Sequence, residues 1–274
     1  MSLSKSFKIG FIGAGKMGGA IVKGLVQAGH PGKNIIVCEH SKKTLDELVS
    51  RCGVTPVDDK VKVAANSDAV IVAVHPGEFQ EVLNDIKSEI GSRKPLISVA
   101  GGLSIASLES YLEKGARVVR AMPNICAEVC ESVSGITAGN QADSSDIELT
   151  EKIFNLVGQT LRLKEDQFDA FSGVAGCGLA FVFPAIESMA DGAVLCGLPR
   201  ETALKLASQT VAGAGKLAVT TGVHPGPLKD AVCSPGGSTI EGVKKIEDGG
   251  VRAAYFSAVI ASVEKMRRMA KENS

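Results

Sequence analysis

The sequence predicts an α/β protein: a doubly wound, mainly parallel sheet over residues 1–163, then an all-α domain over residues 164–274. Three observations carry this expectation. From Ser6 to about Leu163, short apolar runs alternate with helical patterns. The first run passes straight into a glycine cluster that opens a helix. After Lys164 the strand signals stop.

The elements follow in order. Ile9, Phe11 and Ile12 make the first apolar strand, within Lys8–Ile12. Gly13, Gly15 and Gly18 come next at G-x-G-x-x-G spacing, and a helical face of Met17, Ala20, Ile21, Gly24, Leu25 and Ala28 follows up to the stop at Gly29. Further strands are expected at Ile35–Cys38, Ala69–Val74, Pro95–Val99, Arg117–Ala121 and Ser134–Ala138, with a last edge strand over 158–163. Helices are expected over Lys16–Ala28, Lys42–Cys52, Pro76–Ile90, Ile105–Leu112 and Asp143–Val157. Strands apolar throughout imply a sheet covered on both faces. In the second domain Phe168–Leu195, Arg200–Thr220 and Ile240–Lys271 read as helices, broken around 222–227 and 234–237. Small residues crowd them, which suits close helix packing within a bundle or across a dimer.

The glycine spacing acquires meaning from its context, because the chain has 31 glycines. A strand precedes it, a helix follows, and a second strand ends at Glu39, twenty-one residues past Gly18. That is the Rossmann dinucleotide fingerprint: Gly13 for the tight turn, Gly15 for approach of a pyrophosphate, Gly18 for close packing of helix on strand. The helix start, including Lys16 and Met17, offers free N–H groups to the phosphates. Glu39 is placed to accept hydrogen bonds from ribose hydroxyls, which favours NAD(H). His40, Ser41, Lys42 and Lys43 follow at once and offer a 2′-phosphate site if Glu39 turns aside; alternatively Ser41 caps the next helix and the lysines are solvated. The cofactor is NADPH or NADH, with no choice between them. Loops at the carboxyl ends of the other strands, His75-Pro76-Gly77, Ala100-Gly101-Gly102 and Met122-Pro123-Asn124, complete one binding rim.

Composition bounds the remaining classes. Lys plus Arg and Asp plus Glu are 30 each, hydrophobic residues make 45 % of the chain, and there is no Trp. Neither nucleic acid nor a membrane is expected as partner, and no apolar run is expected to reach a membrane span. The N-terminus has no signal-peptide pattern, and the seven cysteines are scattered, as reduced cytoplasmic thiols would be. No metal cluster is visible, and the four histidines suggest no catalytic acid or triad. His30 reads as a turn residue and His224 as loop surface or interface.

A second informative stretch is Asp230-Ala-Val-Cys-Ser-Pro-Gly-Gly-Ser-Thr-Ile-Glu241. Its glycines force a turn and set Ser238 and Thr239 at a helix start. First-turn N–H groups and two hydroxyls suit a small carboxylate. Ser238 with Glu241 also fits a capping box, and the two readings are compatible.

Over nearly its full length the chain resembles the pyrroline-5-carboxylate reductase family. The matching segments are Phe11–Ala20, Ala73–Pro76, Ser98–Gly101, Val119–Asn124, Gly197–Arg200 with Ala203, and Leu228–Ile240. The chain departs from the family at His75, usually Lys, at Ile125, usually Thr, and at Ala175-Gly-Cys-Gly-Leu-Ala-Phe181, usually Ser-Gly-Ser-Gly-Pro-Ala-Tyr.

The resemblance implies reduction of the cyclic imine 1-pyrroline-5-carboxylate to proline by hydride from NAD(P)H. It implies that Gly237, Ser238 and Thr239 hold the substrate carboxylate, with the Thr239 hydroxyl at the imine nitrogen and Gly176 and Cys177 near the substrate. It implies that Asn124 and Ala73, Val74, His75 and Pro76 position the nicotinamide. A dimer is the implied minimal unit, and a decamer is compatible with it. Two other readings stay open. One is a β-hydroxyacid dehydrogenase, which would need a general base such as the Lys that Phe168–Leu195 lacks. The other is a non-catalytic NAD(P)-binding homologue, prompted by the changes at Ala175–Phe181.

Overall fold

The computed structural model describes residues 3–91 and 94–272. The chain divides into two compact units, one formed by the chain up to Gly176 with the stretch from Lys265, the other by Cys177–Glu264.

The first unit is an eight-stranded sheet: β1 (Ile9–Ile12), β2 (Ile35–Cys38), β3 (Thr55–Pro56), β4 (Ala69–Val72), β5 (Leu96–Ser98), β6 (Val118–Met122), β7 (Ser132–Ala138) and β8 (Gly158–Arg162). The spatial order is β3-β2-β1-β4-β5-β6-β7-β8. Every neighbouring pair is parallel except β6 with β7. The order reverses at β1, between β2 and β4, which places a crevice at its carboxyl end. The helices are α1 (Lys16–Gln27), α2 (Lys42–Cys52), α3 (Lys60–Ala65), α4 (Phe79–Ile90), α5 (Ile105–Ser110), α6 (Ser144–Phe154) and α7 (Phe168–Ala175).

Period-two alternation sorts the strand side chains into two apolar layers. Ile9, Phe11, Val37 and Ile71 pack with Ile21 and Leu25 of α1 and Phe154 of α6. Ile12, Ile36, Val70 and Val72 pack with Val63 of α3 and Phe79, Leu83 and Ile86 of α4. Both faces are therefore covered, which is why the strands are apolar throughout. One glycine enforces close packing: a Cβ at Gly24 of α1 would lie 1.9 Å from the Ala127 carbonyl oxygen. The expected strands are present within two residues at each end, while β3 and α3 were not expected.

The second unit is helical: α8 (Gly178–Leu195), α9 (Arg200–Thr221), α10 (Pro225–Ala231), α11 (Ser238–Asp248) and most of α12 (Val251–Glu272). Gly176-Cys177 breaks the long helix expected over Phe168–Leu195, and Gly249-Gly250 breaks the one expected up to Lys271. Ala190, Ala203 and Ala207 are its buried apolar residues among those described, packed with Ile186 and Val194. Leu195, Val219, Val232 and Phe256 remain more than 60 % exposed, Leu195 at 90 %. One expectation is corrected. Glu165–Leu195 is long and apolar enough to cross a membrane by length and composition, with a mean hydropathy of 1.5 over a window only 11 % buried. The break at Gly176-Cys177 divides that stretch into α7 and α8.

Candidate functional site

The glycine loop is built as its spacing demands. Gly13 has φ +82°, and a Cβ there would lie 2.8 Å from the Ala73 carbonyl oxygen at the end of β4. A Cβ at Gly18 would lie 2.6 Å from the Gly13 carbonyl oxygen, so only glycine lets α1 sit this close to the loop. At Gly15 an added Cβ meets nothing within 4 Å. Gly15 is also the N-cap of α1, with no side chain capping it. The result is a helix start in open space with N–H groups facing outward, which fits a pyrophosphate. Lys16 is exposed there, and half-buried Met17 packs against the core.

Glu39 stands at the end of β2 and joins two loops. Its Oε2 accepts the Ala14 N–H at 2.6 Å, and its Oε1 accepts the Ser41 N–H at 2.8 Å. The carboxylate therefore faces the glycine loop. Ser41 is the N-cap of α2, its Oγ accepting from the Thr44 N–H at 3.3 Å and the Thr44 hydroxyl at 3.0 Å. The helix cap expected of Ser41 is formed, and Lys42 and Lys43 are exposed beside it. Beside these residues lies a cleft of about 650 Å³, lined by Cys38, Glu39, exposed His40, Lys42, Leu45, Pro56, Val57 and Asp58. The Cys38 thiol pKa is raised by burial first, then by the charges of Asp59 and Glu39, with Lys60 opposing. Asp58 escaped the sequence reading because β3, which presents it, is two residues long.

The loops after β4, β5 and β6 form the rest of the rim. The Ala73 N–H donates to Ile12 O at 2.8 Å, and half-buried Val74 follows it. His75 precedes a short 3-10 turn begun by Pro76: its carbonyl oxygen accepts the Glu78 N–H at 2.9 Å, and the Glu78 carboxylate accepts the His75 N–H at 2.9 Å. Ala100 is buried, its N–H donating to Ser98 Oγ at 3.3 Å. Asn124 is buried and committed to the protein. Its Nδ2 donates to Ala175 O at 2.9 Å, its Oδ1 accepts the Cys126 N–H at 3.0 Å, and its N–H donates to Ser132 Oγ at 3.1 Å. Its amide thus fastens the loop after β6 to the last turn of α7, beside Gly176, a link that spacing could not reveal.

Arg120 of β6 is also buried. Its Nη1 donates to Glu165 Oε1 at 3.1 Å, and its guanidinium lies 4.5 Å from the centre of the Phe168 ring. Glu165 Oε1 also accepts the Ile105 N–H, at 2.7 Å, at the start of α5.

In the second unit, Gly236 turns the chain with φ +66°, and the Gly237 N–H donates to Ser234 O at 3.0 Å. Gly237 is the N-cap of α11, with no side chain capping it. The capping box expected of Ser238 and Glu241 does not form, because the helix begins one residue earlier than that box requires. Ser238 and Thr239 occupy the exposed first turn. The Gly237 N–H is already committed, which narrows an anion site to the N–H groups and hydroxyls of Ser238 and Thr239. Gly176 donates its N–H to Ser172 O at 3.0 Å, and half-buried Cys177 precedes α8. His224 Nδ1 accepts the Gly226 N–H at 3.1 Å and caps α10. Among the described residues no group of three or more His, Cys, Asp or Glu side chains could hold a metal ion.

Known proteins share this architecture and sequence. The family described as pyrroline-5-carboxylate reductase dimerisation matches residues 165–269, and the one described as NADP oxidoreductase, coenzyme F420-dependent, matches residues 8–102. The pyrroline-5-carboxylate reductase of Methanosarcina acetivorans is 45 % identical, covering 97 % of this chain and 98 % of its own. That of Arabidopsis thaliana is 40 % identical, covering 98 % and 97 %. The crystal structure of Plasmodium falciparum pyrroline carboxylate reductase with NADP bound superposes with a TM-score of 0.86 at 31 % identity, covering 98 % of this chain and 100 % of that one.

Proposed function

The chain belongs to the pyrroline-5-carboxylate reductase family, and from that premise we propose how its residues serve the reaction. It reduces 1-pyrroline-5-carboxylate to L-proline with NADPH or NADH, the closing step of proline biosynthesis. The observation that carries the activity is identity of 45 % with a reductase over 97 % of the chain. When bound, the nicotinamide supplies the hydride that the imine carbon accepts.

The residues bind and orient. Gly13, Gly15, Lys16, Met17 and Gly18 receive the pyrophosphate at the uncapped start of α1. Glu39, His40 and Ser41 border the adenosine ribose, while Ala73, Val74, His75, Pro76 and Ala100 form the backbone rim for the nicotinamide. Asn124, in the loop after β6, joins them in positioning the nicotinamide, its amide held by the Ala175 carbonyl. The first turn of α11 receives the substrate carboxylate on the N–H groups of Ser238 and Thr239. Gly176 and Cys177 border the substrate ring, and the Thr239 hydroxyl contacts its nitrogen as polariser or proton relay. A protonated imine needs no stronger acid than this, in keeping with His224 being spent as a helix cap.

The functional division is taken as 1–163 for the cofactor and 164–274 for substrate and dimerisation, supported by the dimerisation family's span of 165–269. The apolar surface of α8, α9 and α12 is assigned to a second copy of the chain, in a homodimer or a decamer built from it. All seven cysteines are free, which supports a cytoplasmic location.

The test is oxidation of NADH and NADPH with pyrroline-5-carboxylate, followed by nicotinamide absorbance, for wild type and Thr239→Ala. Turnover lowered at least about tenfold in the variant, with nucleotide affinity unchanged, is expected. Full activity of Thr239→Ala would remove the residue from the reaction, and an inactive wild type that still binds nucleotide would sink the reductase reading.

A further inference from the structure

The sequence left Glu39 between two roles, and its hydrogen bonds separate them. We propose that Glu39 makes this chain selective for NADH over NADPH, its carboxylate fixed between two loops so that it accepts the ribose hydroxyls and repels a 2′-phosphate. The inference rests on the reading of Gly13–Gly18 as the dinucleotide site.

Three observations support it. First, the carboxylate is not turned aside. Both oxygens are anchored, one on Ala14 inside the glycine fingerprint and one on Ser41. Each oxygen has a second lone pair free for a ribose hydroxyl. Second, one donor that a 2′-phosphate would use at this turn is already engaged: the Ser41 N–H is given to Glu39, while Ser41 Oγ accepts from Thr44 as the cap of α2 and keeps its own O–H. Third, the neighbouring charge is unfavourable. Asp58 shares the cleft with Glu39, and Asp59 lies behind it as the N-cap of α3. Lys60 is drawn away to Glu81 at 3.1 Å and Asp85 at 2.6 Å, while exposed Lys62, 3.5 Å from Asp58, offsets part of that charge. The Cys38 thiol beside the cleft senses the carboxylates in the same sense, beneath the larger effect of its burial.

Exposed Lys42 and Lys43 oppose the effect, but as solvated charges they are screened, whereas the Glu39 carboxylate is part-buried and held in place. The Plasmodium falciparum relative holds NADP, so selectivity is a point on which this chain would differ from it. A phosphate dianion a few ångströms from a carboxylate loses about tenfold or more in affinity even at high dielectric.

The test uses the full chain and measures binding apart from turnover. Dissociation constants are taken for NADH and NADPH by nucleotide fluorescence, and for ADP and 2′,5′-ADP by calorimetry, with wild type, Glu39→Gln and Glu39→Ser. Wild type is expected to bind NADH about tenfold or more tighter than NADPH, and ADP tighter than 2′,5′-ADP. In both variants the preference should shift about tenfold or more toward NADPH and 2′,5′-ADP, while NADH and ADP bind more weakly than to wild type because a ribose acceptor is lost. Equal or tighter binding of NADPH by wild type overturns the proposal. So does an unchanged NADPH to NADH ratio in either variant that keeps its circular dichroism. Binding in the expected ratio without reduction of pyrroline-5-carboxylate supports the selectivity while overturning the reaction, so the two readings fail separately.

Discussion

Replacing Glu165 by alanine isolates the most exposed link in the hydrogen-bonded group that joins β6, α5 and α7. In the wild type a single oxygen, Oε1, receives the Arg120 guanidinium at 3.1 Å and the Ile105 N–H at 2.7 Å. Arg120 is only 6 % exposed, burial lowers its pKa against the opposing pull of Glu165, and its Nε has no hydrogen-bond partner in the wild type. Alanine would leave a buried cation without its counter-charge, a loss that costs about 3–5 kcal/mol for a fully buried pair. The first-turn N–H of Ile105 would add about 1 kcal/mol. Two features reduce the total. The Glu165 side chain is 37 % exposed, so water can enter its place, and the Phe168 ring retains its face-on contact with the cation. A net loss of about 2–3 kcal/mol remains, equivalent to a fall in Tm of about 5–10 °C for a unit of this size. Thermal unfolding followed by circular dichroism, at fixed protein and nucleotide concentration, measures it. The double variant Glu165→Ala with Arg120→Met should recover part of the loss, because it removes the orphaned charge as well as its partner. A Glu165→Ala midpoint within 1 °C of wild type, or a double variant less stable than the single, would refute this account of the buried cation.

Two further outcomes follow from other contacts. Gly24→Ala should destabilise by about 3 kcal/mol or more, since its Cβ would lie 1.9 Å from the Ala127 carbonyl oxygen and 2.9 Å from Val157 Cγ1; chemical denaturation with an unchanged m-value would register it. His30 is 5 % exposed, and burial depresses its pKa below the usual histidine value, partly offset by a hydrogen bond with the Phe7 backbone. The neutral form is therefore the one that the folded state prefers. Its contribution is fully present above the unfolded pKa of about 6.5 and is lost as pH falls from there toward the lower folded value. Stability measured between pH 7 and 5 should show a slope that His30→Leu flattens, and an equal slope in both proteins would rule out this histidine as its source.

The sheet was legible because its strands are buried on both faces and so carry an unbroken apolar run, as in Ile35-Ile36-Val37. Thr55-Pro56 escaped because two exposed residues hold no periodicity, and with them went Asp58 and the outer wall of the cleft beside Glu39. The glycine fingerprint and Glu39 were legible from spacing, since backbone geometry sets that spacing. The two N–H groups anchoring Glu39 were not, because Ala14 and Ser41 contribute only their main chain. At α11 the cap register was off by one: Ser238 resembles a cap, yet the turn at Gly236 starts the helix at Ser238 and leaves the cap to Gly237. Long-range partners such as Asn124 with Ala175, 51 residues apart, leave no periodic trace at all.

The small interior of Cys177–Glu264 has a thermodynamic consequence. Three alanines are its buried apolar side chains among the described residues, while Leu195 and Phe256 stand 90 % and 71 % in water. An interior of that size cannot offset the chain entropy of five helices by itself. In the proposed homodimer, association supplies part of that free energy, and folding of this segment is then expected to be a second-order process. Its stability then has no single value: each tenfold dilution removes about 1.4 kcal/mol per mole of complex, and the unfolding temperature falls with it. In that homodimer dilution is expected to act as a denaturant, and activity assayed at nanomolar protein to report assembly as much as chemistry.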